Sequence, residues 1–291
     1  MQNTPLLAVL YMILSMVSYQ ISASFAKQLF EQLDPLSVTI LRLCFAAILV
    51  IFMFRSWRIV RRLRFLKWRD LLFYSAALCC MNVLFYYALS SLPQGIAVGL
   101  EFIGPLGLAL LSIKQRLDYI WVGLAILGIG LMVPWNTSEA LPILGVLSAL
   151  GAGFCWAMYI YFGQRVIRQH IGMHALSIAI GLSALSLLPF GLYQNAPALF
   201  QFDVWPKALM IALLATAIPY ALDLMALRSL SKLSYGTLSS LSPALAALTG
   251  LLILGESITW LQWIALACVI FASIGVTYRA QKKASCRSQE A

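Results

Sequence analysis

Three ionisable side chains stand inside long apolar segments of this sequence. Glu101 lies about eight residues into one segment, Arg42 lies within another, and Asp223 follows Pro219 by one helical turn in a third. Placing a charge in hydrocarbon costs at least about 2.5 kcal/mol, so such residues face a protein interior or a water-filled cavity and mark functional sites. A carboxylate at that depth can bind an ammonium group or take up a proton.

Each of these residues also has a structural interpretation. Glu101 could be the buried partner of Arg42, and Asp223 could be an interfacial acid that pairs with Arg228 or Lys232. Arg42 could neutralise the carboxylate of a ligand or lock neighbouring helices together. We favour the functional role for Glu101 and lean towards the structural role for Arg42, which stays a candidate binding residue. For Asp223 both interpretations remain open.

Amides and aromatic rings form a second group of candidates. Gln20, Ser24 and Lys27 share one helical face, and Asn82 and Tyr86 share another with Phe85 and Leu89. Interhelical hydrogen bonds and ring packing would explain the same residues without a ligand. The cavity interpretation predicts these substrate-binding residues: Glu101, Asn82, Gln20, Tyr86, Trp156, Tyr159 and Arg42. It assigns proton coupling to Glu101 and Asp223.

Several other chemistries find no support in the sequence. The six cysteines include no CxxC pair, and His170 and His174 have no acid or thiol near them, so we predict neither a metal site nor a disulfide. No GxxxxGK motif followed by Ser or Thr is present to hold ATP, and a gradient must therefore drive any uphill step. We predict no cofactor.

Composition places these residues in a membrane. The chain is 62% hydrophobic and 10% charged, against roughly 45–50% and 25% in soluble domains. About 20 apolar residues cross the hydrocarbon of a bilayer. We predict an all-α membrane protein with ten transmembrane helices, near residues 6–27, 36–54, 70–91, 94–113, 118–134, 142–164, 173–193, 207–227, 234–254 and 259–278.

The charge distribution predicts the orientation of these spans. The net charge of +10 resides in short clusters between the apolar segments, which indicates membrane topology and excludes nucleic acid as a partner. Every Lys and Arg except Lys27, Arg42 and Lys207 falls on one side. The positive-inside rule therefore places both termini in the cytoplasm. The basic loop 55–69 carries aromatic residues as well and is suited to lie on anionic lipid.

An internal repeat divides the chain. Residues 7–28 align without gaps on residues 144–165, so that Tyr19 meets Trp156, and a second block pairs Pro105 with Pro243. Two halves of five spans each are implied, and because five is odd the second half inserts upside down. We predict repeats at residues 1–135 and 141–280 and a cytoplasmic tail at 281–291. Such halves can open a central site alternately to each side.

Several segments resemble the EamA-type drug/metabolite transporter superfamily and, within it, the bacterial threonine and homoserine exporters. The resemblance runs from about residue 8 to residue 278 and rests on GIAVGLEFIGPL at 95–106, CWAMYIYFGQR at 155–165 and YGTLSSLSPALAALTGLLILGES at 235–257. It implies an inner-membrane, proton-coupled exporter of amino acids or their analogues. Glu101, Asn82, Gln20 and Trp156 fall where the family pattern keeps them.

Two positions depart from that pattern, and rival functions stay open. Asp223 stands where the family has Glu, and Ser242 stands where the exporters have an acid, which puts threonine as the substrate in doubt. The same fold could export other metabolites or cationic drugs. A membrane-embedded enzyme using Glu101 and Asp223 lacks a metal motif and a nucleophile beside a base, so we predict a non-enzyme. A channel would show passive flux.

Overall fold

The computed structural model describes residues 5–58, 67–110, 119–132, 142–166, 174–227, 235 and 238–289, and the regular elements within them are helical. The first six helices are α1 (Pro5–Leu29), α2 (Pro35–Phe54), α3 (Trp68–Ser91), α4 (Gln94–Glu101), α5 (Ile103–Leu110) and α6 (Tyr119–Met132). They are followed by α7 (Ile143–Val166), α8 (His174–Leu199), α9 (Trp205–Ala212), α10 (Ile218–Leu227), α11 (Ser242–Leu254) and α12 (Trp260–Gln289). The all-α part of the predicted fold class is confirmed.

Six helical segments are long and apolar enough to cross a membrane. They are Leu6–Leu29, Pro35–Phe54, Trp68–Ser91, Ile143–Val166, His174–Leu199 and Trp205–Asp223. Shorter apolar helices occupy Gln94–Leu108, Ser242–Leu254 and Trp260–Ala272. The chain is therefore a multi-pass membrane protein, while the count of ten spans and the cytoplasmic termini stay predictions. Most of the basic loop falls outside the described residues.

The predicted span 94–113 is not one continuous helix. Phe102 separates α4 from α5, and its N–H donates to the Val98 oxygen at 3.0 Å. All eight residues of α4 are buried, and a Cβ on Gly95 would lie 2.7 Å from that of Ala247 on α11. Small residues thus let two backbones approach closely. The interruption leaves Glu101 at the very end of α4.

The span around Pro219 contains a second irregularity. Residues Leu213–Ala217 form a π-helical turn between α9 and α10, just before the proline, which has no N–H to donate. Three serine hydroxyls of α1 donate to main-chain oxygens of this segment: Ser22 to Ile211 at 2.9 Å, Ser18 to Leu214 at 2.8 Å and Ser15 to Pro219 at 3.2 Å. Side chains satisfy the backbone where no water can do so. The irregular part of this span therefore includes the π-helical turn before Pro219 as well as the proline itself.

Two helices extend beyond their predicted spans. Helix α8 continues past residue 193 to Leu199 through a kink at Asn195, whose φ of −153° and ψ of 60° are not helical. The Asn195 Oδ1 accepts a hydrogen bond from the Ala198 N–H at 3.4 Å and starts the last turn again. Helix α12 continues to Gln289 and so includes most of the segment predicted as a tail.

The packing of the helices is reciprocal. Helix α1 packs on α9, α10 and α11, and α7 packs on α3, α4 and α5. In the aligned repeat α1 corresponds to α7 and α3 to the segment α9–α10, so the first set of contacts maps onto the second. The pairs α2 with α8, α4 with α11 and α6 with α12 also pack together. Each of these pairs maps onto itself when the halves are exchanged.

Two glycines let the backbones of α5 and α7 approach closely. A Cβ on Gly104 would collide with the main-chain oxygen of Gly153, and a Cβ on Gly153 would lie 2.5 Å from the Glu101 oxygen. A backbone atom cannot move aside as a flexible side chain can. This contact therefore fixes the interruption at Phe102, and with it Glu101, against α7.

We expect Gly104→Ala to destabilise the protein by about 1–3 kcal/mol, because the added methyl group overpacks this contact. The matched control is Gly107→Ala, one turn further along α5, where a Cβ meets nothing within 4 Å. This control should leave stability unchanged or raise it by up to about 1 kcal/mol. Thermal unfolding of the detergent-solubilised variants measures both, and equal midpoints would contradict the prediction.

Candidate functional site

A cavity of about 340 Å³ lies at the centre of the helix bundle. Its walls come from both halves of the chain: α1, α2, α3 and the end of α4 on one side, and α7, α8, the π-helical turn and α10 on the other. Seven of the eight predicted site residues line it: Glu101, Asn82, Gln20, Trp156, Tyr159, Arg42 and Asp223. The eighth, Tyr86, lies outside its lining.

The guanidinium group of Arg42 is held by its neighbours at the edge of this cavity. The side chain is 5% exposed. Its Nη2 donates to the Asn82 Oδ1, and the Asn82 Nδ2 donates in turn to the Leu78 oxygen at 2.7 Å. The guanidinium lies over the Tyr86 ring, 5.0 Å from its centre. The Tyr86 ring therefore packs against the guanidinium group. The Arg42 Nε has no hydrogen-bond partner among the described residues.

Glu101 faces the same cavity as Arg42 but makes no direct ion pair with it. The carboxylate is 6% exposed, and among the described residues the ion pair within 4.0 Å joins other side chains, Lys27 and Glu256. Glu101 is thus buried in the same cavity as Arg42, but it is not the direct ion-pair partner that the structural interpretation expected. Opposite charges share one cavity without neutralising each other by contact.

Asp223 lies on the cavity wall that α10 forms. Its carboxylate lies within interaction range of the Ser15 and Tyr235 hydroxyl groups, and both of these residues also line the cavity. Arg228 and Lys232, the partners of the interfacial alternative, fall outside the described residues. The structure thus adds a second acid to the same cavity, and among the described residues its neighbours include these two hydroxyl groups.

Only one member of the predicted stripe on α1 lines the cavity. Gln20 does so, whereas the Ser24 hydroxyl donates to the Gln94 Oε1 at 2.8 Å and Lys27 pairs with Glu256 at 2.6 Å. Lys27 is therefore committed elsewhere and does not join Glu101. On α1 the cavity lining instead runs from Gln20 back to Met12, towards the N-terminus.

Aromatic rings of α7 are fixed by ring contacts as they reach the cavity. Trp156 meets Phe102 edge to face, with ring centres 5.6 Å apart. Tyr159 stacks on Tyr74 at 4.7 Å. Such pairs contribute about 0.5–1.5 kcal/mol beyond their burial. The rings consequently form a fixed part of the cavity wall.

The structure adds cavity residues that spacing alone did not single out, among them Tyr19, Tyr220 and Tyr235. The internal repeat could have identified some of the cavity-lining residues. Applied throughout, its offset of 138 residues relates the following positions, all of which line the cavity: Arg42 to Ile180, Leu78 to Thr216, Met81 to Pro219, Asn82 to Tyr220 and Glu101 to Ser239. Related positions thus face the same space, but Arg42 and Glu101 correspond to uncharged residues in the second half.

The chain matches known proteins along nearly its whole length. Residues 6–133 and 143–278 both match the EamA-like transporter family. The threonine/homoserine exporter RhtA of Escherichia coli strain K12 is 41% identical over 280 residues, which cover 95% of this chain and 93% of that protein. Its counterpart in Salmonella typhimurium strain LT2 is 41% identical over 274 residues, covering 93% and 91%.

More distant matches also cover most of the chain. The uncharacterized transporter YwfM of Bacillus subtilis strain 168 is 27% identical over 245 residues, covering 77% of this chain and 79% of the relative. A protein of known crystal structure superposes with a TM-score of 0.63, covering 94% of this chain and 98% of its own. At 17% identity this last likeness concerns the fold.

The support of Arg42 by Tyr86 can be measured. We expect Tyr86→Leu to destabilise the protein by about 2 kcal/mol or more, because a desolvated cation loses its aromatic partner. Tyr86→Phe keeps the ring and should stay close to the parent, since no described residue bonds the Tyr86 hydroxyl. In an Arg42→Met background the cost of Tyr86→Leu should shrink. Thermal unfolding that gives the same cost in both backgrounds would contradict the interaction.

Proposed function

We propose, since this chain belongs to the EamA-like transporter family, that it is a secondary exporter of threonine, homoserine or closely related amino acids. The observation that carries the proposal is the pair of opposite charges, Arg42 and Glu101, in one central cavity of a chain 41% identical to threonine/homoserine exporters. A bacterial inner membrane is the corresponding location. The small-molecule substrate and the bilayer are then its partners, with protons as the coupling ion.

The two charges fit the two ends of a zwitterion. Glu101 binds the substrate ammonium group, and the Arg42 guanidinium binds the carboxylate, with Asn82 and Tyr86 holding the guanidinium in place. Charge-assisted hydrogen bonds of this kind are short and strong. Because the two groups do not contact each other, a substrate inserted between them replaces no existing ion pair.

Alternating access follows from the duplication. The two family matches, at residues 6–133 and 143–278, and the reciprocal packing of α1 and α7 support two equivalent halves of inverted orientation. Halves of this kind can exchange conformations around a fixed central site. The irregular turns at Phe102 and Leu213–Ala217 lie beside the cavity, which Phe102, Ala215 and Thr216 line.

Proton coupling is assigned to Glu101, with Asp223 as the second candidate. Both carboxylates reach the cavity, so each can exchange a proton with whichever side the cavity faces. A carboxylate that binds either a proton or the substrate ammonium group exchanges one for the other. That competition couples the entry of a proton to the exit of a substrate.

An alternative cargo is favoured by the aromatic rings. Tyr19, Trp156, Tyr159, Tyr220 and Tyr235 line the cavity together with Glu101. Rings around a carboxylate suit a lipophilic organic cation, because cation–π attraction strengthens as water is removed. Such a cargo would need Glu101 and would make no use of Arg42, which separates it from an amino acid.

Counterflow in proteoliposomes tests the substrate. Vesicles loaded with unlabelled threonine should accumulate labelled threonine and homoserine. Threoninol, which lacks the carboxylate, and 3-hydroxybutyrate, which lacks the amine, should exchange roughly thirtyfold less well, since each leaves one buried charge without its partner. Arg42→Met should abolish threonine exchange.

The controls separate the cargo classes. Lys207→Met removes a cation exposed at the surface and should exchange threonine normally. If no amino acid exchanges, the amino-acid proposal fails and the transporter fold stands. If threonine fails while a lipophilic cation exchanges in both the parent and Arg42→Met, the alternative cargo replaces it.

The coupling role of Glu101 is tested with Glu101→Gln, which imitates the protonated carboxyl group. In the parent, a proton gradient directed into the compartment that holds the substrate should accelerate substrate efflux. Glu101→Gln should lose this response, because it can no longer release or take up a proton. The control Glu31→Gln changes an exposed acid and should respond as the parent does. An unchanged response in Glu101→Gln would remove Glu101 from coupling.

A further inference from the structure

A compact polar cluster joins three separate elements at one end of the bundle. Lys27 Nζ contacts the Glu256 Oε1 at 2.6 Å and donates to the Leu92 oxygen at 2.5 Å. The Glu256 Oε2 accepts from the Gln94 N–H at 2.7 Å. The Lys27 and Glu256 side chains are 23% and 12% exposed. The end of α1, the start of α4 and the segment after α11 are thereby tied together.

The backbone conformation at the end of α11 places Glu256 in this cluster. Gly255 ends α11 with a φ of 66°, a left-handed conformation that suits glycine. The Glu256 N–H then donates to the Gly250 oxygen at 3.1 Å. A Cβ on Gly250 would lie 2.5 Å from the Glu256 Oε2, so the carboxylate lies directly on the backbone of α11. It reaches the start of α4, where free N–H groups favour an anion.

Gln94 connects this cluster by hydrogen bonds to Gln20, which lines the cavity. Its side chain is 0% exposed, and all of its polar groups are used. The two Nε2 protons are donated to the Gln20 main-chain oxygen at 2.8 Å and to the Thr249 Oγ1 at 3.1 Å, and the Gln20 Oε1, at 3.4 Å, shares one of them. The Oε1 accepts from Ser24 at 2.8 Å. Gln20, which lines the substrate cavity, is therefore one hydrogen bond away from the cluster.

The cluster and the cavity lie towards opposite ends of α1. Along α1 the cavity lining ends at Gln20, while Ser24 and Lys27 continue towards the end of the helix. In the predicted topology that end faces outward. The cavity thus extends from mid-membrane towards the cytoplasm, and the cluster closes the bundle on the far side. An ion pair that links elements from both halves must separate if the cavity is to open there.

We propose that Lys27, Gln94 and Glu256 form an outer gate, and that Gln20 couples this gate to the substrate in the cavity. The inference rests on the proposed transport function, of which it names the closing device. A substrate that draws the Gln20 side chain towards the cavity weakens its hydrogen bond to Gln94. Gln94 then holds α4 less firmly to α1 and α11, and the Lys27–Glu256 pair separates as the outer face opens.

Accessibility from outside tests the gate. A reporter Ser239→Cys is placed in the cavity of a chain whose native cysteines are replaced by serine, and a membrane-impermeant maleimide is added to intact cells. Lys27→Met and Glu256→Gln should each raise the labelling rate roughly fivefold or more, since losing the pair shifts the population towards the outward-open state. Lys207→Met, a surface cation bonded to Gln32 at 3.1 Å, should label as the parent does.

A cross-link tests the same gate when a single variant fails to fold. Lys27→Cys with Glu256→Cys is joined by a short bifunctional thiol reagent, and threonine counterflow should stop until the link is cleaved. The chain without native cysteines, treated with the same reagent, should continue to exchange. Continued exchange in the Lys27/Glu256 pair, or parental labelling in both single variants, would overturn the gate.

The two proposals fail in distinguishable ways. Labelling needs no transported substrate, so it reports on the gate even if the parent exchanges no amino acid in counterflow. Absence of counterflow in the parent overturns the proposed function alone. Normal counterflow in the parent, together with parental labelling in Lys27→Met and Glu256→Gln, overturns the gate alone.

Discussion

A charge inside a bilayer has to be hydrated or partnered by the protein, and this constraint shapes the centre of the molecule. Arg42 and Glu101 are nearly buried, yet they face a cavity of about 340 Å³ instead of each other. Arg42 is held by Asn82 and Tyr86, so its position does not depend on the carboxylate. Keeping two opposite charges apart leaves both available to a ligand that carries both signs.

The same shortage of water governs the backbone. Helices that bend or break in hydrocarbon expose N–H and C=O groups that other protein groups must satisfy. The serine hydroxyls of α1 do this for the π-helical turn before Pro219. The glycine contact between α5 and α7 secures the interruption at Phe102. Both irregularities adjoin the cavity, which links the departures from regular helix to the place where a substrate would bind.

Helix α1 contacts both the cavity and the polar cluster of Lys27, Gln94 and Glu256. Its serines reach α9 and α10, Gln20 reaches the cavity and Gln94, and Lys27 reaches Glu256. The serines and Lys27 make these contacts with their side chains, whereas Gln20 accepts from Gln94 chiefly through its main-chain oxygen. A movement of α1 relative to α4 and α11 would therefore change the contacts at the cavity and at the polar cluster together. The proposed alternating access between two halves requires such a linked change.

The sequence by itself determined the membrane setting, the helical class and seven of the residues that line the cavity. Apolar segments of about 20 residues can only be helical in a bilayer that offers no water to their backbone. The isolated positions of Glu101, Arg42 and Asp223 made them candidates for a cavity, because a charge in hydrocarbon is costly and must face a protein interior or water. Both inferences use local composition, which the sequence states directly.

Only the tertiary structure decided which polar residues face the cavity and which face one another. Helical spacing places Gln20, Ser24 and Lys27 on one face, but Lys27 meets Glu256 and Ser24 meets Gln94, residues 229 and 70 positions away. Tyr86 shares a face with Asn82 and yet lies behind Arg42. The breaks at Phe102 and Leu213–Ala217 depend on glycine contacts and serine hydroxyls from other helices. Periodicity describes one helix at a time, whereas these partners are chosen by how the helices pack.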